Sequence, residues 1–192
     1  MSQWWNFRNL LLQLNLKSRH PTSDPLSYLC EMKILMVCLG NICRSPLAEG
    51  ILQKRAADAG LHWVVESAGT DGFHSGEAPH HLSQKVAKKY GIDISRQEAR
   101  RFKGNDIAAY DRIYVMAADV LAGVKSISGN LFDEKKVAYF LNELHPGKNE
   151  NVPDPWYGDE DAYEEAYEII DAACTAIIQN YFANKQTETN NV

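Results

Sequence analysis

Apolar residues along this chain fall into two rhythms that alternate from residue 32 onward. Short consecutive runs, KILMV at 33–37, WVVES at 63–67, RIYVM at 112–116 and VAYFL at 137–141, read as strands, and none contains proline. Their near-continuous apolarity implies burial on both faces, which is how a parallel sheet covered by helices is written. Between them lie segments of helical period. Residues 46–59 open with Ser45 as an N-cap and Pro46 at the first helical position, and Gly60 is placed to end them. Residues 80–90 form a second helix stopped by Gly91, and 117–124 a short third. The acidic segment 159–184 is a long amphipathic helix with Tyr163, Tyr167, Ile170, Ala173, Cys174 and Ile177 on one stripe. The alternation predicts an α/β three-layer sandwich, a four-stranded parallel sheet with helices on both faces.

The two ends break this rhythm. Residues 1–31 place a short Leu-rich patch ahead of a Pro-, Ser-, Thr- and Asp-containing stretch. The patch lacks a basic leading region, is interrupted by Gln13 and Asn15, and is followed by no small-residue cleavage site, so it reads as neither a signal peptide nor an anchor. The expectation is an N-terminal extension, either flexible or, with Met32 as the biological start, not native. Residues 32–184 then form one domain, and 185–192 a polar tail.

Composition narrows the function classes. With 192 residues, 45% hydrophobic and 23% charged, the chain suffices for one soluble domain with a sizeable core. A net charge of −5 argues against broad binding to nucleic acid or an anionic membrane, yet permits a local positive pocket. The cysteines at 30, 38, 43 and 174 form no CxxC pair and the histidines are scattered. Neither a disulfide framework nor a zinc site is indicated, so no metal or cofactor is expected, and a reducing cytoplasm is the default compartment.

Chemistry concentrates in CLGNICRS, residues 38–45, the turn between the first strand and first helix. Open α/β sheets bind ligands at this carboxyl end. A tight turn feeding a helix N-terminus aims backbone N–H groups into one concavity and adds the helix dipole, which suits a tetrahedral oxyanion. Gly40 permits the backbone angles such a nest needs, and Asn41 suits a left-handed turn held by hydrogen bonds to its own loop. The same field, with Arg44, favours Cys38 as a thiolate near neutral pH. Five residues separate Cys38 from Arg44, so the loop can curl until the guanidinium faces the sulfur's bowl and takes two phosphate oxygens. Ser45 Oγ could donate to the thiolate while capping the helix. Taken singly, each residue has a plainer role: a cysteine is usually a small apolar filler, Ser45 a cap and Asn41 a turn residue. Their order and spacing together favour the anion cradle.

Cleaving a phosphate monoester also needs a proton for the leaving oxygen. NVPDPWYGDED supplies Asp154 between Pro153 and Pro155, which stiffen the turn, with Trp156 and Tyr157 as aromatic walls for a flat group. Alone, this stretch reads as an ordinary Asp-Pro turn.

VCLGNICRSPLAE with a later DPWYG resembles the low-molecular-weight protein tyrosine phosphatases, as do ESAGT at 66–70, HSGEAP at 74–79, GIDIS at 91–95 and FKGNDIAAYDRIYVM at 102–116. The resemblance runs from Met32 to about Asn184. It implies the Rossmann-like low-molecular-weight phosphatase fold and a two-step reaction without metal. Cys38 would attack the phosphotyrosine phosphorus to give a cysteinyl-phosphate, Asp154 would protonate the tyrosyl oxygen and then serve as base for water, and Arg44 would bind phosphate. The phosphate-binding loop would comprise Leu39, Gly40, Asn41, Ile42, Cys43, Arg44 and Ser45. Phe73 would join Trp156 and Tyr157 on the substrate wall, Ser67 would support Asn41, and Cys43 corresponds to the position that can form a disulfide with the nucleophile. For Cys43 alone, packing is the plainer role. The implied partners are phosphotyrosine proteins as substrates and phosphate or other oxyanions as inhibitors. Two departures affect hydrogen bonds around the site: Gln97 in QEARR stands where many members carry His, and MAADV at 116–120 replaces the frequent MDxxN.

Three rivals share parts of this pattern. Arsenate reductases need further relay cysteines, and only Cys174 follows Cys43. Arginine phosphatases tend to carry Thr where this loop has Ile42, and the apolar residue beside Trp156 and Tyr157 favours phosphotyrosine. A non-catalytic phosphate-binding module would not require the full Cys, Arg and Asp set.

Overall fold

A computed structural model describes residues 32–190, and the extension expected over 1–31 lies outside the described residues. Strand β1 (Lys33–Cys38) pairs in parallel with β2 (Val64–Gly69) and, on its other side, with β3 (Arg112–Val115), which pairs in parallel with β4 (Val137–Tyr139). The order is β2-β1-β3-β4. The helices are α1 (Arg44–Asp58), α2 (His81–Lys89), α3 (Asp106–Ala109), α4 (Ala118–Ser128) and α5 (Glu160–Asn190).

The pleat of the central strands sorts their side chains into two cores. Ile34, Met36 and Cys38 of β1, with Tyr114 of β3, face a layer built from Leu47, Ile51 and Leu52 of α1, Val86 of α2 and Tyr163, Tyr167, Ile170 and Cys174 of α5. Leu35 and Val37, with Ile113 and Val115, face Val120 and Val124 of α4 and Phe102. Each fully buried aliphatic or aromatic side chain contributes on the order of 1.5–3 kcal/mol, so the two interiors fix β1 rigidly at the centre of the sheet. The long stripe expected on the last helix is buried throughout, from Tyr163 to Ile177.

Several boundaries differ from the pattern, each for a physical reason. β2 is an edge strand, so Val64 and Glu66 are exposed and burial on both faces holds only toward its carboxyl end. β4 stops at Tyr139 because Phe140–Glu143 winds into a 3-10 turn that buries Phe140 and Leu141. α1 begins at Arg44, not Pro46, and α5 continues through the polar residues after 184 to Asn190. Gly60 and Gly91, at φ +73° and +76°, sit just beyond the ends of α1 and α2 as expected. Among the described residues no helix is long and apolar enough to cross a membrane.

Candidate active site

The carboxyl ends of β1 and β3 and the amino end of α1 meet on one side of the sheet. Cys38 is the last residue of β1, α1 opens six residues later, and the chain between them doubles back through Asn41 at φ +57°. This left-handed residue turns its own N–H onto Cys38 Sγ at 3.2 Å. The loop is stitched on both flanks. Thr70 N–H donates to Cys38 O (3.0 Å) and Asp71 N–H to Leu39 O (2.9 Å), while on the α2 side His80 N–H donates to Ile42 O (2.8 Å) and Ser83 Oγ to Cys43 O (3.4 Å). Gly69 makes the first flank possible: a Cβ there would stand 2.6 Å from Leu39 O and 3.0 Å from Asn41 N, so only glycine allows this approach. Sequence reasoning missed Gly69 as a site residue; the ESAGT stretch held it, but its need depends on the pairing of Cys38 with Gly69 across the sheet.

Four buried side chains, Cys38, Asn41, Ser45 and Ser67, share one hydrogen-bond network. Asn41 Nδ2 donates to Ser45 Oγ (2.9 Å) and Ser67 Oγ (2.8 Å), and its Oδ1 accepts the Arg100 N–H (2.8 Å). Asn41 therefore braces the loop within itself, through Ser45, and also against β2 and the segment that follows α2. Ser45 Oγ lies 3.0 Å from Cys38 Sγ and 3.5 Å from Ala68 O. Since it already accepts from Asn41, its hydrogen is free for the nearer sulfur. The expected N-cap role of Ser45 is not realised: Cys43 occupies that position and no side chain caps the helix. The hydroxyl is spent on the site instead.

Arg44 brings a nearly buried guanidinium to the same bowl. Its Nη1 donates to Val152 O (3.3 Å) and its Nη2 pairs with Asp154 Oδ2, with 6% of the Arg44 side chain and 43% of the Asp154 side chain exposed. A buried arginine without a counter-ion would be costly, and Asp154 supplies one. The carboxylate is delivered by the end of β3: Met116 N–H donates to Val37 O and Met116 O accepts the Val152 N–H (2.8 Å). Asn151 Oδ1 accepts the Ala118 N–H (2.9 Å), so the MAADV departure is answered by a side chain from the Asp154 loop capping α4. Trp156 N–H donates to Asp154 Oδ1 (3.2 Å), which fixes the second carboxylate oxygen.

Aromatic groups ring the mouth. Trp156 packs against His74 and His80, at centroid distances of 5.6 and 5.5 Å, and meets Tyr157 edge-on at 6.5 Å. His80 also stacks on Tyr163 (5.2 Å), and its burial, with His81 nearby, lowers its pKa. Phe73 and Tyr157, 87% and 97% exposed, project into solvent instead of forming a closed wall. Ile42 does the opposite, packing into the core beneath the loop. His74 and His80 had no place in the sequence reading of the site, although His74 opens the HSGEAP stretch.

Cys43 turns inward. Its Sγ lies 3.3 Å from Tyr163 Oη, and burial pushes the thiol up to about 11 despite that hydrogen bond. Burial and the Cys43 contact likewise push the Tyr163 hydroxyl up. Cys174 sits in α5 with Ala48 O 3.7 Å away, and burial raises its thiol well above the ordinary range. Among the described residues no group of three or more His, Cys, Asp or Glu is arranged to hold a metal ion. The bowl thus brings together a sulfur with donors aimed at it, a fixed cation and a carboxyl group, which equips it for nucleophilic attack on a bound tetrahedral anion.

Known proteins similar to this chain come from one family. The family model for low molecular weight phosphotyrosine protein phosphatase matches residues 33–187. A low molecular weight protein-tyrosine-phosphatase from Streptomyces coelicolor is 35% identical over 151 residues, covering 76% of this chain and 91% of that protein. The crystal structure of YfkJ from Bacillus subtilis is 30% identical with a TM-score of 0.75, covering 82% and 99% of the two chains. Wzb from Vibrio vulnificus, solved in complex with benzylphosphonate, is 28% identical with a TM-score of 0.70 over 79% and 99%.

Proposed function

The chain belongs to the low molecular weight phosphotyrosine protein phosphatase family, and from that premise we propose that it hydrolyses phosphotyrosine in proteins through a cysteinyl-phosphate on Cys38. What supports the reading is that Cys38 and Arg44 lie buried at the two ends of one short loop and that Asp154 pairs with the Arg44 guanidinium. An entering phosphate takes the Arg44 fork, and the Asp154 carboxylate, released from its ion pair, takes up a proton from solvent and turns toward the leaving group. Cys38 Sγ forms a bond to phosphorus as the phosphorus–tyrosyl oxygen bond breaks, and that oxygen takes the Asp154 proton. Water then attacks phosphorus while the Asp154 carboxylate accepts its proton, and the sulfur–phosphorus bond breaks to release phosphate and the thiolate. Ser45 and the loop amides from Leu39 to Arg44 stabilise the sulfur and the equatorial oxygens, with about 3–4 kcal/mol typical for one well-placed donor. Proton transfer by Asp154 is worth about 10²–10⁴ in rate.

An aromatic ester suits the mouth, where Trp156 is backed by His74 and His80 and flanked by the exposed Phe73 and Tyr157. Wzb from Vibrio vulnificus is solved in complex with benzylphosphonate, a molecule that joins an aromatic ring to a phosphorus centre. Phosphate and other oxyanions compete for the bowl. Cys43 serves as the resolving thiol under oxidation, once its hydrogen bond to Tyr163 is released. The cytoplasm, where thiols stay reduced, is the compartment this chemistry fits.

Phosphotyrosine, phosphoserine and phosphoarginine peptides assayed with the wild type, Cys38→Ser and Asp154→Ala test the proposal. Turnover confined to phosphotyrosine, none by Cys38→Ser and a large kcat loss in Asp154→Ala are expected. Turnover by Cys38→Ser overturns the covalent route, and a phosphoarginine preference overturns the substrate assignment.

A further inference from the structure

Glu49, in the second turn of α1, hydrogen-bonds to neither Cys38 nor Arg44 but stands at the far end of the network that reaches the sulfur. Ser67 Oγ donates to Glu49 Oε2 at 2.6 Å, and Gln53 Nε2 donates to Oε1 at 3.4 Å. Burial raises the Glu49 carboxyl above its ordinary range and Glu66 adds to the rise, while the hydrogen bonds and the charge of Arg100 oppose it.

Counting hydrogens gives the network a direction. The Arg100 N–H occupies Asn41 Oδ1, so both Nδ2 hydrogens must face Ser67 and Ser45. Ser67 has one hydroxyl hydrogen, and Glu49 takes it, leaving the Ser67 oxygen to accept from Asn41. Ser45 also accepts from Asn41 and turns its hydrogen to Cys38 Sγ at 3.0 Å. Without the Glu49 acceptor, the Ser67 hydrogen would compete with Asn41 Nδ2 for the space between them, donor against donor.

We infer that Glu49 is a positioning residue for the nucleophile: as the terminal acceptor of the chain Glu49–Ser67–Asn41–Ser45, it fixes the direction in which the last hydroxyl is donated to Cys38. The inference rests on Cys38 being the nucleophile, and it deepens that reading by extending the site to a carboxylate behind the loop. A net hydrogen-bond contribution of about 0.5–1.5 kcal/mol corresponds to a two- to twelvefold effect.

The test follows alkylation of Cys38 by iodoacetamide in the full chain over a pH series, because the thiolate is the form that reacts. Glu49→Ala should react roughly three- to tenfold more slowly at the acid end and converge on the wild type at the alkaline end. Glu49→Gln, which keeps a carbonyl acceptor for Ser67, should stay within about twofold. Ser67→Ala should reproduce Glu49→Ala, and the double variant should be no slower than Ser67→Ala alone. Wild-type rates for Glu49→Ala at every pH, an equal loss in Glu49→Gln, or a loss independent of pH would each overturn the inference. Should Glu49→Ala fail to fold, a wild-type rate for Ser67→Ala overturns it as well. The measurement needs no substrate, so turnover by Cys38→Ser would sink the phosphatase mechanism separately.

Discussion

Replacing Gly69 with alanine probes the tightest approach in the site. The new Cβ would lie 2.6 Å from Leu39 O, 3.0 Å from Asn41 N and 3.0 Å from Gly40 C, all of them backbone. A carbon–oxygen contact settles near about 3.3 Å, so the phosphate loop or the end of β2 must retreat by roughly 0.7 Å. No rotamer change relieves it, because the atoms being struck carry no torsional freedom of their own. The retreat strains the Thr70-to-Cys38 and Asp71-to-Leu39 hydrogen bonds and shifts Asn41 away from the sulfur. Overpacking of this kind costs about 1–3 kcal/mol, which for a domain of this size lowers Tm by about 2–4 °C per kcal/mol. Displacing catalytic groups by most of an ångström costs up to about 10²-fold in rate. Gly69→Ala should therefore lose about 30- to 100-fold in kcat/KM on a phosphotyrosine peptide. Gly60→Ala is the control: at φ +73° with open space around it, it should lose about 1–2 kcal/mol of stability and no activity. A Gly69→Ala protein within twofold of the wild type in kcat/KM, with an unchanged Tm, would refute the reasoning.

Four further outcomes follow from named contacts. At neutral pH, peptide mapping after alkylation should find Cys38 labelled and Cys43 and Cys174 unlabelled, with Cys43 reacting only as the pH approaches about 11. Because the folded thiol of Cys43 is raised from 9.0, its contribution to stability is present below pH 9 and is lost as the pH rises toward about 11, so Cys43→Ala should flatten that alkaline decline in chemical denaturation. Asp171→Ala removes the carboxylate that joins α5 to Arg55 of α1 at 2.6, 2.7 and 2.9 Å, and should cost about 1–2 kcal/mol in urea unfolding while leaving kcat/KM unchanged. Inorganic phosphate should raise the Tm of the wild type, by an amount equivalent to about 2.7 kcal/mol at a hundred times its Kd, and should fail to do so in Arg44→Ala.

What could be read from the sequence divides along a simple line. The strand, loop and helix start from Lys33 to Ser45 were legible because those residues are contiguous and each carries a local backbone preference. Asp154 stood out because prolines bracket it. Ser45 was read as a partner of the sulfur, which lies 3.0 Å from its hydroxyl, but also as a cap, because Ser-Pro looks like a helix start wherever it occurs and the cap position falls to Cys43. Gly69 and Glu49 were out of reach, and Ser67 was reached only through the family resemblance, because their contacts depend on the register of β1 with β2, in which Met36 pairs with Ser67 and Cys38 with Gly69. Strand order was equally hidden, so nothing in WVVES announced that β2 would be an edge with Val64 and Glu66 in solvent. The exposure of Phe73 and Tyr157 could not be read from their chemistry, since aromatic residues in turns are as often core as surface.

The ion pair between Arg44 and Asp154 means that the bowl holds an anion of its own. Binding is thus an exchange of one negative ligand for another rather than the filling of a bare positive site, and the affinity for any oxyanion is reduced by whatever the resident carboxylate is worth. On the proposed mechanism the same exchange run backwards helps to evict product phosphate, because Asp154, once it has shed the proton taken from water, returns as a carboxylate to claim the guanidinium. A variant that made the cradle stickier by removing this competitor would gain grip on phosphate and forfeit both the proton source and the means of letting go.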